Sequence, residues 1–222
     1  FAFVLFSFAS QQGVLEIATT QRLIAAVADR QLEVHCVLSL RHLPAELDAA
    51  AVIEDLFGFM MERLRAYYLD SGYDTDTFEA VLARRPRKPL DFEQRMHAVK
   101  TFRNLPESAS LAAANKRIRN ILRKAGTGFP EKHDSGLLTE PAEQALAWAI
   151  TELEATVSPM FETRDYTDAL CRLAALQAPV DRFFDDVMVN VDDKATRNNR
   201  LALLSQLRAL FLDVADISRL SI

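Results

Sequence analysis

Arg200, Leu203, Leu204, Leu207, Leu210, Phe211 and Val214 follow one another at three- and four-residue steps. That spacing returns apolar side chains to one stripe of an α-helix, and nearly every readable segment of the chain repeats it. Ile53, Phe57, Met60, Leu64 and Tyr67 predict a helix through AVIEDLFGFMMERLRAYYLD, stopped by Ser71-Gly72. TFEAVLARR predicts another before Pro86 and Pro89, and DFEQRMHAVKTFRNL a third, with Phe92, Met96, Val99 and Phe102 inward. Ser108 or Ser110 is suited to cap the next helix, and AGTGFPEKHDSG then breaks the pattern. Glu140-Pro141 opens a helix carrying Leu146, Ile150, Leu153 and Val157. Thr167 or Asp168 opens YTDALCRLAAL, Pro179 interrupts it or starts a new turn, and Asp192 or Asp193 caps the last helix. Only FFDDVMVNV resembles a strand, and it is short. The expected fold is all-α, in two helical bundles. Asn104-Leu105-Pro106 divides them into a helical body domain at 1–106, its N-terminal part cut from a longer chain, and an all-α domain at 107–222.

The 222 residues suffice for one large or two modest domains, and the composition excludes disordered and fibrous classes. The chain opens on Phe1, which points to a piece of a longer protein. Its first run, FAFVLFSFA, is too short for a membrane span and lacks the basic lead of a signal peptide, so it reads as a core segment. Cys36 and Cys171 lie far apart in apolar surroundings, as buried free thiols of a reducing cytoplasm would.

Charge is the second constraint. Twelve Lys and Arg stand against three acids between Arg84 and Lys124, a net +9. The chain totals −5, so the remaining residues carry −14. Segregation of this size is an electrostatic footprint, with phosphate its commonest target. It is densest in AANKRIRNILRK, residues 113–124. On a helical wheel Leu111, Ala114, Ile118, Ile121 and Leu122 share a face, while Lys116, Arg117, Arg119, Arg123 and Lys124 spread over the rest. The alternative is a solvated helix face whose cations pair with acids elsewhere.

LAAANKRIRNIL, followed by YTDALCRLAALQAPVDRFFDDVMVNVDDKATRNNRLALLSQLRALFLDVADIS, resembles the C-terminal region of the β subunit of bacterial glycyl-tRNA synthetase, the α2β2 type. MMERLRAYYLDSGYDTDTFEAVLARRPRKPLDFEQRMHAV resembles the same subunit, so the likeness is colinear over about 51–222. Residues 1–50 match poorly, with only Val14-Leu15 and Ile17 echoing the pattern. The end of that subunit is similar to the DALR-type anticodon-binding domain of arginyl-tRNA synthetase, and Asp168-Ala169-Leu170 match the first three letters of that name.

The resemblance implies a ligase that attaches glycine to tRNA-Gly in the cytoplasm, with ATP and Mg at the α subunit. This fragment would itself be non-catalytic and hold no cofactor. The implied partners are tRNA-Gly, the α subunit and the remainder of the β subunit, with no membrane and no DNA. The family pattern points to Asn115, Lys116, Arg117 and Asn120 as RNA contacts, and Arg119, Arg123 and Lys124 join them on physical grounds alone. In the turn DDVMVNVDDKATRNNR, Met188 and Asn190 suit base packing and a base edge, and Arg197 and Arg200 suit the backbone. Glycine anticodons end in two cytosines, whose amino group calls for an acceptor such as Asp192, Asp193 or the Asn190 amide oxygen. Against these readings, Phe183 and Phe184 suit a core, Asp192 or Asp193 a helix cap, and Arg200 an internal ion pair.

Other motifs carry less. His133-Asp134 is a lone His-Asp pair, and His35, His42 and His97 have no acidic neighbour at ligand spacing, so no metal site is expected. Phosphate-loop, dinucleotide and nucleophile-elbow signatures are lacking. Two further function classes stand beside the RNA-binding one: a helical scaffold that docks subunits without touching RNA, and a remnant of a metal phosphohydrolase.

Overall fold

The computed structural model describes the backbone of residues 49–222 and the side chains from Glu54 onward. The expectations for FAFVLFSFA, Cys36, His35 and His42 lie outside the described residues, as does the side chain of Ile53. Eight α-helices run in order among those described: α1 Ala49–Asp70, α2 Thr75–Leu82, α3 Pro89–Arg103, α4 Ser108–Ala125, α5 Pro141–Thr163, α6 Tyr166–Leu173, α7 Gln177–Asp186 and α8 Lys194–Leu212. Short 3-10 turns at Ser135–Leu137, Ala174–Leu176 and Ile217–Arg219 complete them, and no strand occurs among the described residues. The strand-like FFDDVMVNV instead ends α7 and becomes an irregular turn.

The apolar stripes fall where the period puts them, with adjustments at the ends. Phe92, Met96, Val99 and Phe102 are all buried, as are Leu203, Leu204, Leu207, Leu210, Phe211 and Val214. In α1 the buried side is Leu56, Met60, Met61 and Tyr68, so Tyr67 is left outside. Tyr68 decides this rotation: its ring stacks on Phe92 at 5.8 Å and meets Tyr73 edge-on at 5.2 Å. Gly72 ends α1 in the left-handed region at φ 78°, which costs a glycine little.

The helix starts differ from expectation in two places. Neither Ser108 nor Ser110 caps α4. The Ser108 hydroxyl donates to the carbonyls of Arg103 and Leu105, and Ser110 donates to Asp181 of α7. α6 begins at Tyr166 behind Asp165, ahead of Thr167 and Asp168. At Pro179 the expectation holds: α6 stops at Leu173, the Ala174–Leu176 turn intervenes, and Pro179 lies in the first turn of the new helix α7, where a missing N–H leaves no bond unmade. Cys171 is exposed, not buried: it sits one residue, about 100° of helix, past Leu170.

The expected division falls at Pro106, between α3 and α4. One hydrophobic cluster crosses it, from Leu56 to Leu220. Phe102 of α3 packs on Phe211 of α8 at 6.4 Å. Arg95 of α3 donates to the Asp213 and Val214 carbonyls and to the Tyr166 hydroxyl, and that hydroxyl donates to Asp91. Burial and the bond to Asp91 push the Tyr166 phenol up to about 12.

Asp76 draws the end of the chain onto α2. It accepts from the Ser221 N–H at 2.6 Å and from Arg103 at 2.7 Å. Burial pushes its carboxyl up, but the bonds from Arg103 and Ser221 outweigh this and hold it below the usual carboxylate range. A depressed folded value contributes stability above the ordinary carboxylate pKa of about 4, lost as pH falls through the folded value. Asp76→Asn is therefore expected to lower the melting temperature more at pH 7 than at pH 3, in thermal melts followed by circular dichroism.

Candidate nucleic-acid interface

The basic helix is α4. Leu111, Ala112, Ala114 and Ile118 are buried and Ile121 and Leu122 half-buried, so the stripe anchors it. Gly126 closes it at φ 74°, its N–H bonded to the Leu122 carbonyl. Arg123 and Lys124 occupy the last turn, where cations also complement the negative end of the helix dipole.

The cations of α4 do different things. Lys116 and Lys124 are exposed and make no ion pair among the described residues. Arg123 is exposed, its guanidinium 3.3 Å from the Asn120 amide oxygen, so these two form one polar unit. Arg119 is half-buried and lies 3.5 Å from the Ser218 hydroxyl, in the Ile217–Arg219 turn. Arg117 is exposed but not loose: its guanidinium carbon lies 4.1 Å from the ring centroid of Phe184 on α7. Asn115 must leave the RNA-facing set. It is 2% exposed and its amide donates to the Leu111 carbonyl at 3.0 Å, one turn back along the buried stripe.

The second patch is the turn at 187–193. Val187 and Val189 point inward, while Met188, 72% exposed, and Asn190 point outward. Three side chains at the start of α8 fix this alternation. Arg200 donates to the Met188 carbonyl at 2.7 Å, Arg197 donates to the Val191 carbonyl at 3.0 Å, and Asp193 accepts from the Thr196 N–H at 2.7 Å. Asp193 is thus the cap of α8, and the bonds from Thr196 hold its carboxyl below the usual range. Asp192 is exposed and is not the cap.

Arg200 is the second correction. It is buried and pairs with Glu143, which is fully buried at the start of α5. The other carboxylate oxygen of Glu143 accepts the N–H groups of Thr139 and Glu140 at 2.9 and 3.0 Å. Arg200 is therefore spent beneath the turn, on the Glu143 carboxylate and the Met188 carbonyl. Arg197 is half-buried and spends one of its donors on Val191.

The two patches are linked through α7, which packs on α4 and leads into the turn. Ser110 meets Asp181 and Arg117 meets Phe184, so α4 and α7 run in the same sense where they touch. The C-terminal half of α4, with Lys116, Asn120, Arg123 and Lys124, thus points toward the end where α7 gives way to the 187–193 turn. The turn itself carries exposed groups able to meet a base: Met188 for apolar contact, and Asn190, with a donor and an acceptor, for an edge. Sequence reasoning assigned Phe184 to the core and missed it as the support of Arg117, a pairing that only the approach of two helices creates.

His133 and Asp134 also find their use. The Gln206 amide oxygen accepts the His133 N–H at 2.9 Å and lies 2.7 Å from its ring Nδ1. Asn199 exchanges two hydrogen bonds with the Asp134 backbone. The pair pins the long α4–α5 loop onto α8, and no group of three His, Cys, Asp or Glu side chains suited to a metal occurs among the described residues. No helix there is long and apolar enough to cross a membrane.

Residues 111–217 match the family model described as the DALR anticodon binding domain, a span that takes in α4, the turn and α8. The chain is 53% identical over 175 residues to the glycine–tRNA ligase β subunit of Pseudomonas aeruginosa strain LESB58, covering 79% of this chain and 26% of that one. It is 48% identical over 208 residues to the β subunit of the same name from Klebsiella pneumoniae, covering 94% of this chain and 30% of that one. The Shewanella putrefaciens protein of that name is 52% identical over 174 residues, covering 78% and 25%. The Klebsiella alignment must include most of the first fifty residues, where sequence reading found little likeness. The chain spans about a quarter to just under a third of the length of these relatives. With half of its residues unchanged over most of its length and the domain match laid over its basic helix and turn, the chain belongs to the glycine–tRNA ligase β subunit family and carries a DALR anticodon binding domain.

Proposed function

We propose that this chain is the tRNA-gripping part of a glycine–tRNA ligase, binding the anticodon region of tRNA-Gly through α4 and the 187–193 turn. The observation that carries the proposal is that the anticodon binding domain match takes in both the exposed cations of α4 and, after the helix α7 that packs on it, the outward-facing Met188 and Asn190. The cations supply affinity through phosphate and the turn supplies discrimination through base contact. Activation of glycine with ATP and Mg falls, on this reading, to the α subunit in the cytoplasm, and this chain by itself performs no chemistry. Tyr67, 62% exposed, with Leu69 on the same helix, favours a second, compatible use of α1 as a docking face for the α subunit or the rest of the β subunit.

The test is the affinity for tRNA-Gly, by filter binding at several salt concentrations, with Asn190→Ala beside the unmutated chain. The substitution is expected to cost about 1–3 kcal/mol against tRNA-Gly, much less against a tRNA with an altered anticodon, and to leave the salt slope unchanged. An equal loss on both tRNAs makes the turn a mere linker. No measurable, salt-dependent binding by the unmutated chain defeats the proposal as a whole.

A further inference from the structure

We infer that Arg117 and Phe184 together form a stacking platform for one unpaired nucleobase of the bound RNA. This rests on the RNA-binding reading and assigns within it a subsite that sequence reasoning did not separate from the phosphate contacts. On the wheel Arg117 is one of five equivalent cations, and all five are expected to act as charges. In the structure it differs from the others. Its guanidinium lies over the Phe184 ring at 4.1 Å, close enough for face contact. Phe184 is half-buried and meets Phe183 edge-on, with centroids 5.5 Å apart and planes at 78°. Phe183 is fully buried, so the support beneath the guanidinium is built into the core.

A guanidinium resting on a ring offers a flat, delocalised surface with little freedom left to lose on binding. Every nucleobase has a face that can stack on such a plane, and single-stranded loops present faces that a duplex hides. A lysine at 117 would keep the charge for a phosphate and lose the plane. Lys116, the neighbouring residue, is the internal control: it is exposed and makes no ion pair among the described residues. Met188, four residues beyond Phe184 in the chain, is exposed as well.

The experiment compares binding to a hairpin RNA with a single-stranded loop and to a blunt RNA duplex of equal phosphate number, at several salt concentrations. Arg117→Lys, Phe184→Leu and Lys116→Ala are measured beside the unmutated chain, with circular dichroism to verify folding. The unmutated chain is expected to prefer the hairpin. Arg117→Lys should weaken hairpin binding by about fivefold or more and leave duplex binding and the salt slope unchanged. Phe184→Leu should do the same through loss of the ring. Lys116→Ala should weaken both RNAs alike and lower the slope by about one. If Arg117→Lys binds the hairpin as the unmutated chain does, the guanidinium plane is not used and the inference is overturned, even where tRNA binding itself holds. An equal loss on both RNAs overturns it too, because Arg117 would then be a phosphate contact. Failure of the unmutated chain to bind either RNA removes the RNA-binding reading, and this subsite with it.

Discussion

Glu143→Ala is expected to lower the free energy of unfolding by about 3–5 kcal/mol, the usual cost of leaving one partner of a buried ion pair without the other. For a chain of this length that is a fall in melting temperature on the order of 10 °C. The reason for so large an effect is the number of groups that meet at one carboxylate. Glu143 accepts the Arg200 guanidinium on one oxygen and the Thr139 and Glu140 N–H groups on the other, with its side chain out of water altogether. Removing it strands a buried cation and two backbone donors. Arg200→Ala is expected to be comparably destabilising, because it strands the Glu143 carboxylate and releases the Met188 carbonyl. The double variant Glu143→Gln, Arg200→Met should recover part of the loss, since neither residual group then carries a charge. Chemical denaturation of the four proteins measures this. If Arg200→Ala leaves stability unchanged and instead lowers the salt slope of tRNA binding, Arg200 is an RNA contact and its assignment as a positioning residue is wrong.

The second large effect belongs to the exposed cations. Replacing Lys116, Arg123 and Lys124 together by Gln should lower the slope of log affinity against log salt by about three, and weaken tRNA binding near 0.1 M salt by two to three decades, if each cation neutralises about one phosphate. These three side chains lie outside the core, so folding should be preserved. The same triple change should weaken tRNA-Gly and other tRNAs equally, since phosphate carries no sequence. A slope that does not move would place the RNA elsewhere on the molecule and return α4 to an ordinary solvated face.

The contrast between these variants reflects how differently the two kinds of residue could be read in advance. Spacing alone determined seven of the eight described helices in outline, because burial of one side of a helix is a local, periodic property; α7, partly read as strand-like, was the exception. It also identified the anchoring stripe of α4 and the cationic surface opposite. Asn115 was misplaced although its position could be read: it stands one full turn, about 40° of rotation, from Leu111, and so shares the buried face. Arg200 likewise begins the apolar stripe of α8, and its burial needed only a partner to be credible.

What spacing could not supply was the identity of that partner, 57 residues away, or of any group whose role depends on contact between helices. Glu143 looks like an ordinary first-turn acid until α8 is packed against α5. Phe184 looks like core until α4 brings Arg117 over its ring. Ser110 has the chemistry of a cap and is drawn instead to Asp181, an acceptor that only the packing of α7 on α4 supplies. The sequence by itself determined the helices, their buried sides and the sign of the charge, all set by interactions within a few residues. The tertiary structure alone decided which cations remain available to a ligand and which are consumed in holding the turn, because desolvation and ion pairing depend on neighbours that the chain brings together only when it folds.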